Sequence, residues 1–326
     1  MGIDSIKRAL TGKDFIHALT EKSERKAIAE NLLYELTTLM VAADPGTGKS
    51  TVSAQAVVEL AAGLPVFGYF PVKEPTKVFY IQSERPIMEL LERFKILQKT
   101  YPIMEKNIIV TDAYQVLNLL NTVDVKTFME CLERDAGGAK VWVIDPIYST
   151  VGGGLKEDKP ASAFTKVMSL VQQQFGCTLW YNHHTTKDIY HAGKKVEKED
   201  PFYGSQWLKA HVTGSYYMKR TSDGVTMICK KDNYGVLANR IPLEFDPETG
   251  LCSVLDSDLT AIDKLRNFLK VKAIDRKTFY FKDIEKATGL CTRTIRGLFM
   301  HSSISPLLEL VSNYKNKNLY KIREGG

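Results

Sequence analysis

Runs of three to seven apolar residues recur through the first part of the chain, separated by stretches in which apolar residues fall three and four apart. A short continuous run suits a strand buried on both faces, and the three-four spacing suits an amphipathic helix. On that basis strands are predicted at 36–42, 78–82, 108–110, 141–144 and 178–182. Helices are predicted at 51–62, where Gly63 closes the turn, and at 87–100, 125–135 and 163–175. Strands alternating with helices predict an α/β fold with a mostly parallel, twisted sheet covered on both faces.

Both ends of the chain depart from this rhythm. Residues 1–30 are charged, with Phe15, Ile16, Leu19 and Ile28 as an intermittent apolar face, and predict a helical segment ahead of the α/β domain at 31–256. After residue 214, β-like arms at 216–219 and 225–230 flank Ser222-Asp223-Gly224, a hairpin signal. Arms at 241–245 and 251–254 flank a second turn-forming stretch, so an antiparallel extension of the sheet is expected. From 257 to 326 a helical stripe (Leu259, Ile262, Leu265, Phe268, Leu269) precedes a second helix with Phe281, Ile284 and Ala287. A third helix carries Ile295, Leu298 and Phe299, and β-like arms follow at 307–311 and 319–322. Three helices and a hairpin are the order of a winged helix-turn-helix. Arg293 and Arg296 on its third helix, with Lys315 and Lys317 on the wing, would face DNA; a protein-contact module is the other use of the same order.

Composition sharpens the class. The 326 residues are 44% hydrophobic and 25% charged, which is ordinary for a globular protein with a full core. No apolar run has the length of a membrane span and the N-terminus has no signal-peptide core, so a cytoplasmic protein is expected. The five cysteines (131, 177, 229, 252 and 291) are scattered and form no Cys-x-x-Cys pair, which argues against a zinc site or disulfide framework. From residue 260 onward 14 Lys and Arg face 6 Asp and Glu, a net +8 within an overall +6. That asymmetry is compatible with a polyanionic partner at the C-terminal end.

The chemistry concentrates at the ends of the predicted strands. Ala43-Asp44-Pro45-Gly46-Thr47-Gly48-Lys49-Ser50, followed by Thr51, joins a strand to a helix as a Walker A phosphate loop does, with Ala43 where the motif has its first glycine. Backbone N–H groups of residues 44–51 would cradle phosphate, Lys49 would reach the β and γ phosphates, and Ser50 would join the Mg²⁺ shell. Asp145, after four apolar strand residues, takes the Walker B position and completes the metal shell. Glu84, just past the strand at 78–82, can orient or deprotonate the attacking water. His183-His184 ends a further strand, where a neutral imidazole can report a γ-phosphate.

Taken together these blocks resemble the RecA-like P-loop ATPases, and specifically the RepA-type hexameric replicative helicases. The resemblance runs from about residue 30 to 250. Beyond the phosphate loop it rests on Phe79 to Pro86, Trp142 to Pro146, Gly176 to Lys187, Gly204-Ser205 and Lys231 to Gly235. It implies Glu84 as catalytic glutamate, His184 as γ-phosphate sensor, and a ring, commonly of six subunits, with ATP at subunit boundaries and DNA in the pore. Loops at 149–156 and 186–203 stand where such proteins place pore loops; the second holds Lys187, Lys194, Lys195 and Lys198. The chain departs from its relatives at Tyr203, in the absence of arginine from 206–214, and at Asn233, each a place where relatives carry arginine. Lys209, His211, Lys219, Arg220, Lys230 and Lys231 remain as cations that could act on a neighbour's phosphate. The expected activity is ATP hydrolysis coupled to DNA unwinding or translocation in replication. The alternatives are a recombination or repair ATPase that binds DNA without unwinding it, and an ATP-switched winged-helix regulator.

Overall fold

The computed structural model describes residues 12, 26–84, 86–101, 106–111, 122–150, 154–185, 189–191, 194–196, 202, 204–222, 224–246 and 248–255. Towards the C-terminus it describes 261–262, 264–265, 268–269, 278–301, 304–305, 308–314 and 317–322. Among these, nine strands form one sheet. Six run parallel, in spatial order β10 (Gly214–Arg220), β3 (Thr38–Ala43), β7 (Thr178–His184), β6 (Val141–Asp145), β4 (Val78–Gln82) and β5 (Ile108–Thr111). Beyond β10 the sheet continues antiparallel through β11 (Gly224–Asp232), β12 (Arg240–Phe245) and β13 (Cys252–Val254). Both predicted hairpins form, and the first strand of the first one also pairs in parallel with β3.

The continuous apolar runs are explained by the two faces of this sheet. Side chains alternate along each strand, so Leu39, Val41 and Ala43 enter one core while Met40 and Ala42 enter the other. The first core lies under α1 (Lys49–Ala62), through Val52, Ala56 and Leu60, and α2 (Ile87–Gln98), through Leu90, Phe94 and Leu97. The second lies under α3 (Thr122–Asp135), through Phe128 and Leu132, and α4 (Asp158–Phe175), through Phe164, Met168 and Val171. Helix α4 starts five residues before its predicted limit, because Pro160 lies in its first turn, where a missing N–H breaks no helical bond.

One sequence expectation meets a different structure, at the N-terminus. Residues 27–29 are not helical; they form β1 (Ala27–Ala29), paired with β2 (Leu33–Tyr34) across a turn in which Asn31 takes a left-handed φ of 58°. Ala27, Ile28 and Ala29 are buried in succession, as suits a short strand covered on both faces, and Ile28, Ala29, Leu32 and Leu33 all enter the first core. The rest of 1–25 lies outside the described residues, apart from Gly12. In the tail, β14 (Phe279–Tyr280), α6 (Phe281–Thr288), α7 (Thr292–Phe299), β15 (Leu308–Tyr314) and β16 (Lys317–Ile322) surround a core of their own. Leu265, Phe268, Phe279, Ile284, Ile295 and Phe299 fill it, and the strands pair in the order β14-β16-β15. Gly289, at φ 69°, ends α6 as expected for a left-handed C-cap. Among the described residues no helix is long and apolar enough to cross a membrane.

One buried carboxyl ties α1 to the sheet extension. Glu59 accepts hydrogen bonds from Phe67 N at 2.8 Å, Gln55 Nε2 at 2.9 Å and Tyr101 Oη at 2.8 Å. Gln55 in turn bonds both backbone groups of Cys252 in β13. Desolvation outweighs the three donors and pushes the Glu59 carboxyl up to about 7, against 4.5 for a free glutamate. Between those two values the folded chain holds a proton that the unfolded chain has lost, so stability falls as pH rises through that window. The Glu59→Gln variant lacks this titration. Urea unfolding at pH 5, 6, 7 and 8 should show the variant gaining on the wild type up to pH 7 and levelling above it. A difference constant with pH would refute the assignment.

Candidate nucleotide site

Parallel pairing brings the ends of four strands to one edge. Ala43 of β3 lies opposite His184 of β7, and Gln82 of β4 opposite Asp145 of β6. The loop leaving β3 therefore opens beside the carboxylates leaving β4 and β6, where α/β sheets place their ligands. A cleft of about 370 Å³ is lined there by Asp44 through Thr51, Glu84, Arg93, Asp145, Pro146 and His184. Every residue expected to hold nucleotide or metal, or to carry out hydrolysis, lines this one cleft.

The loop is shaped for an anion. Gly46 and Gly48 have φ of 74° and 95°, a left-handed region open to glycine at little cost. Gly48 is the N-cap of α1, supplies no side-chain cap, and the first turn of the helix has no acidic residue. The N–H groups that begin a 14-residue helix are thus left for a ligand rather than for the protein's own carboxylates. Thr47 Oγ1 donates to Asp44 O at 2.8 Å, and the Asp44 carboxylate accepts from Thr185, just past β7.

Lys49 is only 8% exposed. Burial pulls its ammonium below the usual lysine value, while Asp145, Glu84 and Asp44 act in the opposite sense. Asp145 is buried and accepts from Tyr80 Oη at 2.5 Å. Burial first, then Asp145, raises the Tyr80 hydroxyl well above its ordinary value, so it stays a donor. Glu84 is half exposed, with Oε2 4.0 Å from His184 Nε2. Burial, then Lys49, lowers the His184 ring below 6.5, against the pull of Glu84 and Asp145. At neutral pH His184 is a neutral imidazole with a polar tip at the cleft.

These groups fit Mg²⁺-nucleotide. Among the described residues no three His, Cys, Asp or Glu converge as a self-sufficient metal site. One carboxylate (Asp145) and one hydroxyl (Ser50) beside a phosphate cradle are the donors a magnesium ion uses when phosphate oxygens and water complete its octahedron.

The cationic candidates separate in space. Arg220, which ends β10, donates to Gly46 O at 2.9 Å and so holds the phosphate loop of its own chain. Lys231 Nζ donates to Lys209 O at 2.7 Å, at the C-terminal end of α5 (Gln206–His211). His211 stacks on Tyr181, and burial followed by Lys231 pushes its ring down to about 4. His211 is therefore neutral near pH 7, which removes it from the cations. Lys209 is half-buried; Lys219 and Lys230 are exposed. Arg93 of α2, absent from the sequence reading, lines the cleft. Its signal is that it neighbours Phe94 at the edge of the apolar stripe of α2, and no motif marks that position.

Among the predicted DNA contacts, Lys194 and Lys195 lie in β9 (Lys194–Val196), paired antiparallel with β8 (Ile189–His191). Lys317 starts β16, and Arg293 and Arg296 sit on exposed turns of α7. Lys187, Lys198 and Lys315 lie outside the described residues.

A phosphate loop between strand and helix, with flanking carboxylates at the carboxyl edge of a parallel sheet, defines a RecA-like P-loop ATPase. In fold the chain is similar to a solved ATPase domain, with a TM-score of 0.52 and 11% identity over 74% of this chain and 95% of that one. A further similar structure is that of the KaiC-like protein PH0186 from the hyperthermophilic archaeon Pyrococcus horikoshii OT3, with a TM-score of 0.48 and 14% identity over 71% and 100% of the two chains. Residues 7–189 match the AAA domain family AAA_25, and the chain belongs to that family. No curated protein matches it in sequence.

The electrostatics of His184 can be read directly. Histidine NMR titration, with the signal assigned through His184→Gln, should give a midpoint below 6.5. Lys49→Ala should raise that midpoint and Glu84→Gln should lower it. A midpoint indifferent to both substitutions would show that the three groups do not share one cleft.

Proposed function

We propose that this chain is an ATP-dependent, ring-forming DNA helicase or translocase of the RepA-like type, acting in DNA replication in the cytoplasm. Its assembly is a homo-hexamer with Mg²⁺-ATP at each subunit boundary and single-stranded DNA in the pore. The observation that carries this reading is the convergence of Lys49, Ser50, Glu84, Asp145 and His184 on one cleft.

Lys49 and the loop N–H groups bind and orient the phosphates. Ser50 and Asp145 hold the metal, which when bound neutralises charge on the phosphate oxygens. Glu84 is exposed enough to meet water and stands beside a lysine and a neutral histidine, the setting in which a carboxylate orients an attacking water. His184 lies within 4.0 Å of Glu84, and the chain continues from it through Thr185, which bridges to Phe202, into the β8–β9 hairpin with Lys194 and Lys195. A change at the γ-phosphate thereby has a short covalent route to lysines that track a DNA backbone. The tail, with α6, α7 and the β15–β16 hairpin in winged-helix order, adds Arg293 and Arg296 as a second DNA-facing surface. Among the cationic candidates Lys219 and Lys230 are exposed, and this reading places them at a subunit boundary.

Forked-duplex unwinding tests the proposal. Wild-type protein should hydrolyse ATP faster with single-stranded DNA and displace one strand with a single polarity. Glu84→Gln should retain nucleotide binding and lose about 100-fold or more in hydrolysis, as removal of a water-positioning carboxylate does. A folded wild type with neither DNA-stimulated hydrolysis nor strand displacement would end the helicase reading.

A further inference from the structure

A file of buried polar side chains runs beneath the phosphate-loop helix and ends on the Walker B carboxylate. Trp180 Nε1 donates to Asn182 Oδ1 at 3.2 Å, and Asn182 Nδ2 donates to Ser53 Oγ at 2.7 Å. Ser53 Oγ stands 3.5 Å from Tyr80 Oη, and Tyr80 Oη donates to Asp145 Oδ2 at 2.5 Å. All five residues are buried.

Chemistry fixes the orientation at both ends. An indole N–H can only donate, so Asn182 must turn its oxygen to Trp180 and its amide NH₂ to Ser53. A carboxylate can only accept, so the phenolic proton of Tyr80 lies on Asp145. Ser53, which accepts from Asn182, directs its own proton among Lys49 O at 3.1 Å, Ser50 O at 3.3 Å and the Tyr80 hydroxyl oxygen at 3.5 Å. The file therefore touches both halves of the expected metal site: the backbone of Lys49 and Ser50 on α1, and the carboxylate on β6.

We infer that Tyr80 is a positioning residue: it clamps one oxygen of Asp145 so that the other faces the cleft beside Ser50 with its direction set before any metal arrives. The role rests on the nucleotide-binding reading above and deepens it. Nothing in the phosphate-loop or Walker B motifs asks for a tyrosine at position 80. A phenylalanine would fill the core equally well, as Phe79 does on the opposite face. Only the hydroxyl differs, and it meets the carboxylate. Such outer partners fix ligand orientation ahead of binding and so reduce what binding has to order.

The test is the magnesium dependence of nucleotide affinity, measured with a fluorescent ATP analogue and no turnover. Tyr80→Phe should bind the analogue in EDTA as the wild type does, and should need about 10-fold more Mg²⁺ to reach the tightened state. Ser53→Ala, which removes the other side-chain contact of the Tyr80 hydroxyl, should shift the same way by about 2-fold. Tyr216→Phe, which deletes a hydroxyl bonded to Ala238 O, serves as the structural control and should shift nothing. If Tyr80→Phe proves too unstable to assay, Ser53→Ala decides. A wild type that tightens with Mg²⁺ beside folded variants that tighten at the same concentration overturns the role of Tyr80 alone. A wild type whose affinity is indifferent to Mg²⁺ overturns the metal-nucleotide reading as well.

Discussion

Burial of the Lys49 ammonium is the constraint on which the rest of the site depends. An ammonium withdrawn from water is costly unless charges and dipoles replace its hydration. Here Asp145, Glu84 and Asp44 supply the charges, and each leaves a different strand or loop. They can surround one amine only if β3, β4 and β6 end flush, which the register achieves by pairing Gln82 with Asp145 and aligning β3 with β7 up to Ala43 and His184. Flush parallel strands need crossover helices on both faces, and covered faces need apolar residues at every strand position. The long apolar runs and the buried lysine are thus two consequences of one arrangement.

The helix carrying Lys49 is held from beneath by polar groups at two levels. Near its start, Ser53 sits among Asn182, Tyr80 and its own helix carbonyls. Further along, Gln55 and Glu59 join it to Tyr101, Phe67 and β13. An apolar helix face would be cheaper to bury, but it could slide or rotate against the sheet. Hydrogen bonds of fixed direction allow one position, and partial loss leaves a buried group unsatisfied. The helix whose N-terminus must meet a phosphate is therefore located by directional contacts as well as by packing.

Legibility from the residues alone followed the range of the interactions involved. The phosphate loop, the strand ends at Glu84 and Asp145, and the alternation that yields the parallel sheet all depend on neighbours within a few positions, and they could be read directly. Residues 27–29 could not, because whether Ile28 belongs to a helix or a strand is decided by a core built from distant segments. Pro160 hid the start of α4, since a proline reads as a break until its place in the first turn is known. Arg93 reaches the cleft only because α2 packs across β4, and His211 loses its charge only because it is buried against Tyr181 and beside Lys231. Partner and environment are tertiary facts, and no spacing encodes them.

Arg220 shows how topology reassigns a residue. Sequence position groups it with Lys219 among the cations considered for a neighbouring subunit's phosphate. But β10 runs parallel to β3 with Met218 opposite Ala43, so the strand continues two residues past the point where β3 gives way to the phosphate loop. That overrun sets the Arg220 guanidinium on the carbonyl of Gly46. The N–H of the same peptide, on Thr47, donates to Asp44 O at 3.3 Å, so both polar atoms of that peptide are engaged and the turn of the loop is held. While it holds that carbonyl, Arg220 supports the loop from within its own subunit. In the proposed ring, Lys219 and Lys230, exposed on the same β10–β11 ribbon, are candidates for a cation acting on a neighbouring subunit's phosphate.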